Sequence, residues 1–156
     1  MKTLSSILLV LFFTIHCAFC QDIVQNETSD FTIAFGSCNK QDNPQPFWAE
    51  ILKKNQPNVF IWGGDNIYGD SDDMAKIEND YKIQNNNTDY QKLKNTVLIL
   101  ATWDDHDYGK SDAGVEWKMK RESQQLFYDF LGVPKDDPIF KNKFTWIFIS
   151  IGRFYI

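Results

Sequence analysis

The chain has 156 residues, 43% of them hydrophobic and 24% charged, and its formal net charge is −5 at pH 7. This length suits one domain with a modest core. The acidic balance argues against a nucleic-acid partner, because proteins that bind phosphate backbones usually carry a basic stripe. It is compatible with the binding of cations.

The N-terminal segment has the pattern of a secretory signal peptide. Lys2 precedes the apolar stretch "LSSILLVLFFTIHCAFC", in which Ala18 and Cys20 offer small side chains at a cleavage point. An uncleaved membrane anchor is the alternative, but a span needs about 20 apolar residues and this stretch is shorter. We therefore predict a signal peptide at 1–20. The mature chain, 21–156, is predicted to be secreted, or periplasmic in a bacterium, with no stable membrane span.

Cysteine usage leaves one thiol in the predicted mature chain. Cys17 and Cys20 lie in the signal peptide, so Cys38 has no partner for an intrachain disulfide. A lone thiol in a secreted protein is explained by burial, by a disulfide to another chain or by metal coordination, and the sequence leaves these alternatives open. The triplets "NET" and "NNT" predict N-glycosylation at Asn26 and Asn86.

The first predicted elements are a strand, a helix and a second strand. The β-branched and aromatic residues of "FTIAFGS" predict a strand at 31–37. In "NPQPFWAEILKKNQP", Pro46 suits the first turn of a helix and Pro57 ends it. The apolar run "NVFIW" at 58–62, stopped by two glycines, predicts a buried strand.

The remainder of the chain continues this alternation. We predict a helix at 74–84, a polar break with one helical turn at 85–95, and a strand at 97–103. A long helix is predicted at 114–132, ended by glycine and proline, and the apolar tail at 144–156 predicts one or two further strands. Strands that alternate with helices predict an α/β fold with a largely parallel sheet covered on both faces.

Each of the first three predicted strands is followed by side chains of the kinds that bind cations. They are Cys38 after the first strand, Asp65, Asn66, Tyr68 and Asp70 after the second, and Asp104, Asp105, His106 and Asp107 after the third. In open parallel sheets, ligands bind beyond the carboxyl ends of the strands. We therefore expect these side chains to face one cavity.

A bound cation would explain the crowding of these carboxylates. Adjacent carboxylates repel one another and their burial raises their pKa values, whereas a multivalent cation neutralises them and favours a deprotonated thiol and phenol. Hard oxygen ligands suit calcium, manganese or ferric iron, and tyrosinate with thiolate favours iron over magnesium. Taken singly, the same residues also fit an inert buried thiol, an Asp-Gly turn, or a solvated loop or helix cap.

His106 is the one histidine of the predicted mature chain. An imidazole at this position could donate a proton to a leaving oxygen or contact a phosphoryl oxygen of a substrate. Taken alone, it fits a structural role as well.

Three motifs together resemble a known family. "FGSC", "GGDNIYGD" and "ATWDDHDYG" are similar to successive motifs of the PhoD-like (alkaline phosphatase D-type) metallophosphatases, within the calcineurin-like and purple acid phosphatase superfamily. The resemblance covers roughly residues 31–140. It implies a β-sheet sandwich flanked by helices. It also implies a multinuclear site that holds ferric iron together with calcium, with manganese or zinc as alternative metals. It also implies hydrolysis of phosphate mono- or diesters through attack by a metal-activated hydroxide.

The resemblance also implies roles for individual residues. It makes metal ligands of Cys38, Asp65, Tyr68 and Asp105. Within this set, Asp65 would bridge the iron to a second metal, which Asp105 would also bind. His106 would contact the phosphoryl group or the leaving group, as the catalytic residue. Asn66 and Asp104 are secondary candidates.

The chain also departs from the family pattern. Ser111 stands where the family resemblance leads us to expect asparagine, and no histidine follows His106, although the superfamily completes its site with histidine and aspartate motifs further downstream. We therefore expect 21–156 to be the N-terminal portion of such a domain, a poor enzyme alone, with an open apolar sheet edge. The alternatives are a non-catalytic secreted cation-binding or interaction fragment and a dimer linked through Cys38.

Overall fold

A computed structural model describes residues 31–141 of the chain. The predicted signal peptide at 1–20, the predicted glycosylation site at Asn26 and the predicted strands at 144–156 lie outside the described residues. No helix among the described residues is long and apolar enough to cross a membrane.

The described residues form one open parallel sheet. Its strands, in the order β1-β2-β3, are β1 Ile33–Gly36, β2 Val59–Gly63 and β3 Leu98–Thr102. The predicted α/β class and the parallel sheet are confirmed, because each strand runs parallel to the next. All three strands therefore end at the same edge, as the sequence predicted.

Helices connect and follow the strands. They are α1 Phe47–Glu50, which continues as a π-helical turn at Ile51–Asn55, α2 Met74–Asn85, α3 Thr88–Thr96, α4 Asp105–Tyr108 and α5 Lys120–Leu131, with a 3₁₀ turn at Pro138–Lys141. The helix predicted from "MAKIENDYKIQ" matches α2 within one residue. The segment predicted as a polar break with one helical turn contains instead the nine-residue helix α3. The helix predicted to begin at Gly114 begins at Lys120, because turns occupy the intervening residues.

Helix α3 forms despite its polar composition because its start is capped and two of its side chains are buried. The side chain of Asn87 accepts hydrogen bonds from the backbone nitrogens of Asp89 and Tyr90, at 3.1 and 3.0 Å. Such a cap supplies about 0.5–2 kcal/mol. Tyr90 and Leu93 are fully buried in the core. Tertiary packing of these two residues outweighs the polar pattern of the rest of the helix.

An aromatic core lies between the sheet and the helices. Trp48 of α1 packs edge-on against Trp62 of β2, with ring centroids 5.2 Å apart, and the Trp62 indole nitrogen donates to the Tyr90 hydroxyl at 3.1 Å. Phe130 of α5 stacks on Tyr90 with centroids 5.9 Å apart. Each such side chain contributes roughly 1.5–3 kcal/mol through burial. This packing fixes the strands whose ends carry the candidate site.

The hydrophobic core that the described residues form lies on one face of the sheet. The core side chains on the strands alternate with apolar side chains that point the other way, and the register aligns Phe35, Ile61 and Leu100 in one row across the sheet. Phe35 is 83% exposed, and the other two are half-buried. The prediction of a sheet covered on both faces is therefore not confirmed for these residues. The two-sheet sandwich is not confirmed.

Candidate metal centre

The loops after the three strands converge, and backbone hydrogen bonds hold them together. The backbone nitrogen of Cys38 donates to the Gly64 carbonyl at 3.3 Å, and that of Asn39 donates to the Asp65 carbonyl at 2.8 Å. The Cys38 thiol lies 3.5 Å from Oδ2 of Asp65. The loop after β1 is therefore aligned with the loop after β2, and its exposed thiol reaches the Asp65 carboxylate.

Three side chains come close enough to share a cation. Asp65, Asp105 and His106 each offer one ligand atom, and these atoms lie within 4.8 Å of one another. Metal–ligand distances are about 2.0–2.6 Å, so one ion could touch all three atoms with modest adjustment. The parallel topology brings this group together from the ends of β2 and β3.

Asp65 is held in a costly state that a cation would relieve. Its backbone has a φ of +49°, in the left-handed region that non-glycine residues rarely adopt. Its Oδ1 atom is buried and accepts no hydrogen bond from the described residues. Burial raises the pKa of Asp65, against the opposing influence of the Cys38 thiol and His106. An unpaired buried acceptor costs about 1–3 kcal/mol. This carboxylate therefore fits a metal ligand.

Tyr68 lines the same edge beside His106. Their rings lie 4.1 Å apart between centroids and are tilted by 36°. Burial and the hydrogen bond with Cys38 raise the pKa of Tyr68 to about 12, and the neighbouring carboxylates contribute to the shift. Without a cation the phenol is therefore neutral. A high-charge cation would be needed to convert it to the phenolate that the sequence analysis expects.

The His106 ring is engaged by Asp70, which was predicted to face the same cavity but not as a metal ligand or catalytic residue. Nδ1 of His106 lies 2.7 Å from Oδ1 of Asp70. Burial alone would lower the pKa of His106, but the hydrogen bond to Asp70 and the nearby carboxylates raise it above its ordinary value. One nitrogen of the His106 ring therefore has a carboxylate partner within the site.

Asp107 is turned away from the edge and organises the interior of the two loops. Its carboxylate accepts hydrogen bonds from the backbone nitrogens of Asn66, Ile67 and Asp104, the Asn66 side chain and the Tyr81 hydroxyl, at 3.0–3.3 Å. Burial raises its pKa to about 7, and these hydrogen bonds oppose the shift. The crowding of carboxylates is thus partly structural, because Asp104 and Asp107 form a capping box at the start of α4.

The two secondary candidates are not part of the three-residue group. Asn66 is fully buried and its side-chain nitrogen donates to the Thr102 carbonyl and to Asp107. Asp104 accepts from the backbone nitrogen of Asp105 at 3.0 Å. Asn66 and Asp104 thus support the loops that carry Asp65 and Asp105. The spacing of Asp104 and Asp107, three residues apart before a helix, is the sequence signal for such a cap.

Asn86, the second predicted glycosylation site, ends α2. Its side chain is exposed, and its backbone nitrogen donates to the Lys82 carbonyl at 2.9 Å. Glycosylation at this position stays a prediction, with the asparagine accessible on the surface.

No family model, curated protein or solved structure matches the chain. The resemblance to PhoD-like metallophosphatases therefore depends on the three motifs alone and stays a prediction.

Proposed function

We propose that this chain carries the cation site of a secreted, metal-dependent phosphoesterase of the PhoD-like type. The observation that supports the proposal most strongly is the group of Asp65, Asp105 and His106, whose ligand atoms lie within 4.8 Å of one another. The unpartnered, buried Oδ1 of Asp65 adds to it, since a carboxylate oxygen in that position has a use only when a cation or a donor reaches it.

The donor set fits ferric iron, with calcium as a second ion and manganese or zinc as alternatives. Carboxylates from Asp65 and Asp105 suit hard cations, and Cys38 and Tyr68 stand beside them and would supply thiolate and phenolate donors to a bound cation. Cys38 contacts Asp65 directly, and Tyr68 interacts with Cys38. These residues would hold the ion between the loops after the three strands.

Each residue has a distinct task in hydrolysis of a phosphate ester. When bound, the cation would lower the pKa of a water molecule and neutralise charge on the phosphoryl group. Asp65 and Asp105 would fix the cation's position. His106, with its raised pKa, would hold a phosphoryl oxygen or donate a proton to the leaving oxygen. Tyr68 packs on the His106 ring and limits its movement.

The uncovered face of the sheet is consistent with the sandwich that the resemblance implies. A row of apolar side chains, Phe35, Ile61 and Leu100, lies on that face. Inner faces of two-sheet folds carry such rows, and a second layer buries them. We propose that the described sheet is one layer of a metallophosphatase-like sandwich.

A non-catalytic cation-binding role is the second candidate. Within residues 31–141, one group of three histidine and carboxylate side chains is close enough to hold an ion. Three protein ligands and two neighbouring donors suffice for one cation, whereas two-metal hydrolysis needs ligands for both. This count favours binding with little turnover by this chain.

Metal analysis combined with an activity assay tests the proposal. The purified chain would be loaded with Fe³⁺ and Ca²⁺, or with Mn²⁺ or Zn²⁺, and assayed on p-nitrophenyl phosphate and bis(p-nitrophenyl) phosphate. If the chain acts as a phosphoesterase, we expect slow metal-dependent hydrolysis that Asp65→Asn abolishes and Asp136→Asn, at an exposed carboxylate after α5, leaves unchanged. Metal bound by Asp65 without hydrolysis would establish the second candidate. Equal metal content in both variants would refute both.

A further inference from the structure

Asp70 and His106 form a pair that the roles proposed above do not use. Oδ1 of Asp70 lies 2.7 Å from Nδ1 of His106. Because Asp70 has only acceptor atoms when ionised, the proton in this hydrogen bond belongs to Nδ1 of the ring. The other ring nitrogen, Nε2, is then the one left to meet a cation or a phosphoryl oxygen.

Both loops are built to bring this pair together. The backbone nitrogen of Ser111 donates to the same Oδ1 atom of Asp70, at 3.1 Å. The backbone nitrogen of Gly69, next to Asp70, donates to the His106 carbonyl at 3.3 Å. Asp70 itself has a φ of +45°. A non-glycine residue in that region costs about 1–3 kcal/mol, so the surrounding contacts must impose it.

The ring of His106 is also confined on its face. Tyr68 packs against it at 4.1 Å between centroids, and the His106 side chain is 17% exposed. An exposed ion pair between flexible side chains contributes little and has no fixed geometry. Here the imidazole is packed, and the carboxylate oxygen that it meets is held by a second donor. This arrangement fixes the ring's orientation as well as its partner.

We propose that Asp70 is a positioning residue, which holds Nδ1 of His106 so that Nε2 faces the group formed with Asp65 and Asp105. Carboxylate partners of this kind set the tautomer and orientation of histidines in metal and catalytic sites. The fixed tautomer depends only on the contacts above. Its use in turnover, with Asp70 acting through His106, rests on the proposed function.

The tautomer can be observed directly in the metal-free chain. Long-range ¹H–¹⁵N correlation spectra, recorded with chelator at a pH where the imidazole is neutral, report which ring nitrogen carries the proton. The signals of His106 are those missing from the His106→Gln variant. We expect the proton on Nδ1 in the wild-type chain. A proton on Nε2 would overturn the proposal, whether or not any variant folds.

Two variants of the same loop separate a positioning role from a general effect on the fold. Asp70→Ala removes the acceptor, and we expect the proton to move largely to Nε2. Asp72→Ala removes an exposed carboxylate two residues away, and we expect it to retain the wild-type tautomer. If Asp70→Ala keeps the proton on Nδ1 with a folded backbone spectrum, Asp70 does not position the ring.

A Mn²⁺ titration distinguishes failure of this proposal from failure of the proposed function. We expect Asp70→Ala to bind Mn²⁺ about tenfold more weakly than Asp72→Ala, a loss common for partners of metal-ligating histidines. Equal affinities would overturn the positioning role toward the ion. If the wild-type chain binds no metal, the proposed function fails, and the spectra alone decide whether Asp70 sets the tautomer.

Discussion

The backbone and side-chain nitrogens of Asn66 both donate hydrogen bonds to the carboxylate of Asp107, at 3.1 Å each. This pair joins the loop after β2 to the loop after β3 at a fully buried point. Asp65 precedes Asn66, and Asp105 and His106 precede Asp107. The pair therefore sets the distance between the halves of the candidate metal centre.

Asp107→Asn is expected to destabilise the chain by about 1–3 kcal/mol. The groups around the carboxylate are all donors, so the new side-chain nitrogen would face an N–H or O–H wherever it pointed. Urea denaturation monitored by tryptophan fluorescence would measure the change, with the exposed Asp136→Asn as the control. Equal stability of the two variants would contradict the role assigned to Asp107.

Asp65→Asn is expected to separate stability from cation binding. In chelator the variant should be as stable as the wild-type chain or more so, because it removes a partly buried charge near the carboxylates of Asp104 and Asp105. With a cation at about 100 times its dissociation constant, the wild-type chain should gain about 2.7 kcal/mol and the variant should gain little. Thermal unfolding with and without metal measures both effects. A variant stabilised by metal as much as the wild-type chain would argue against Asp65 as a ligand.

Two glycines with positive φ should respond differently to substitution by alanine. A Cβ at Gly109 would lie 2.5 Å from the Ser71 carbonyl oxygen, whereas one at Gly132 meets nothing within 4 Å. We expect Gly132→Ala to cost about 1 kcal/mol and Gly109→Ala about 2–4 kcal/mol. Denaturation midpoints of the two variants provide the comparison. Similar costs would mean that the loops carrying Ser71 and Gly109 do not pack as described.

Replacement of Phe35 should change association and leave stability almost unaltered. Phe35 is 83% exposed on the uncovered face of the sheet, whereas Phe60 on the neighbouring strand is 2% exposed in the core. We expect Phe35→Ser to change the free energy of unfolding by less than about 0.5 kcal/mol and to reduce self-association in sedimentation experiments. Phe60→Ser should unfold the chain. Unchanged self-association in the Phe35→Ser variant would indicate that this face of the sheet does not mediate contacts between chains.

Alkaline pH should lower the free energy of unfolding of the wild-type chain more than that of the Tyr128→Phe variant. Burial raises the pKa of Tyr128 to about 12, whereas an unfolded tyrosine ionises near 10. The folded state thus retains the phenolic proton longer, and its contribution to stability is full below pH 10 and lost as the pH rises towards 12. Urea denaturation at pH 8, 10 and 11 would reveal the difference. A constant gap between wild type and variant across this range would contradict the shift.

The strands were the most predictable part of the fold. Apolar runs bounded by glycine predicted β1, β2 and β3 within about two residues, because burial and turn chemistry agree there. The length of helix α3 was underestimated because most of its residues are polar. Its two core residues, Tyr90 and Leu93, are too few to give a clear apolar pattern. Coverage of the second face of the sheet is not confirmed, since a sequence pattern shows that a side chain is apolar but not what lies over it.

The sequence predicted which loops meet at the candidate site, but not which side chains form hydrogen bonds with each other there. Parallel topology alone placed Asp65 near Asp105 and His106. The pairing of His106 with Asp70 accompanies a left-handed backbone at Asp70, and the sequence does not show which aspartates of this loop adopt that conformation. The inward turn of Asp107 follows from capping at α4, a short helix that the sequence analysis did not predict.

The face of the sheet that carries Phe35, Ile61 and Leu100 has a consequence for the affinity of the chain for a cation. Whatever layer seats against Phe35, Ile61 and Leu100 would stiffen the same three strands whose tips carry the donors. More rigid strand ends would keep the ligand side chains in place before the ion binds. Docking of that layer would therefore raise the affinity for the ion, and ion binding would raise the affinity for the layer by the same factor. Without such a layer, the chain would then bind the cation more weakly than it does with the layer docked.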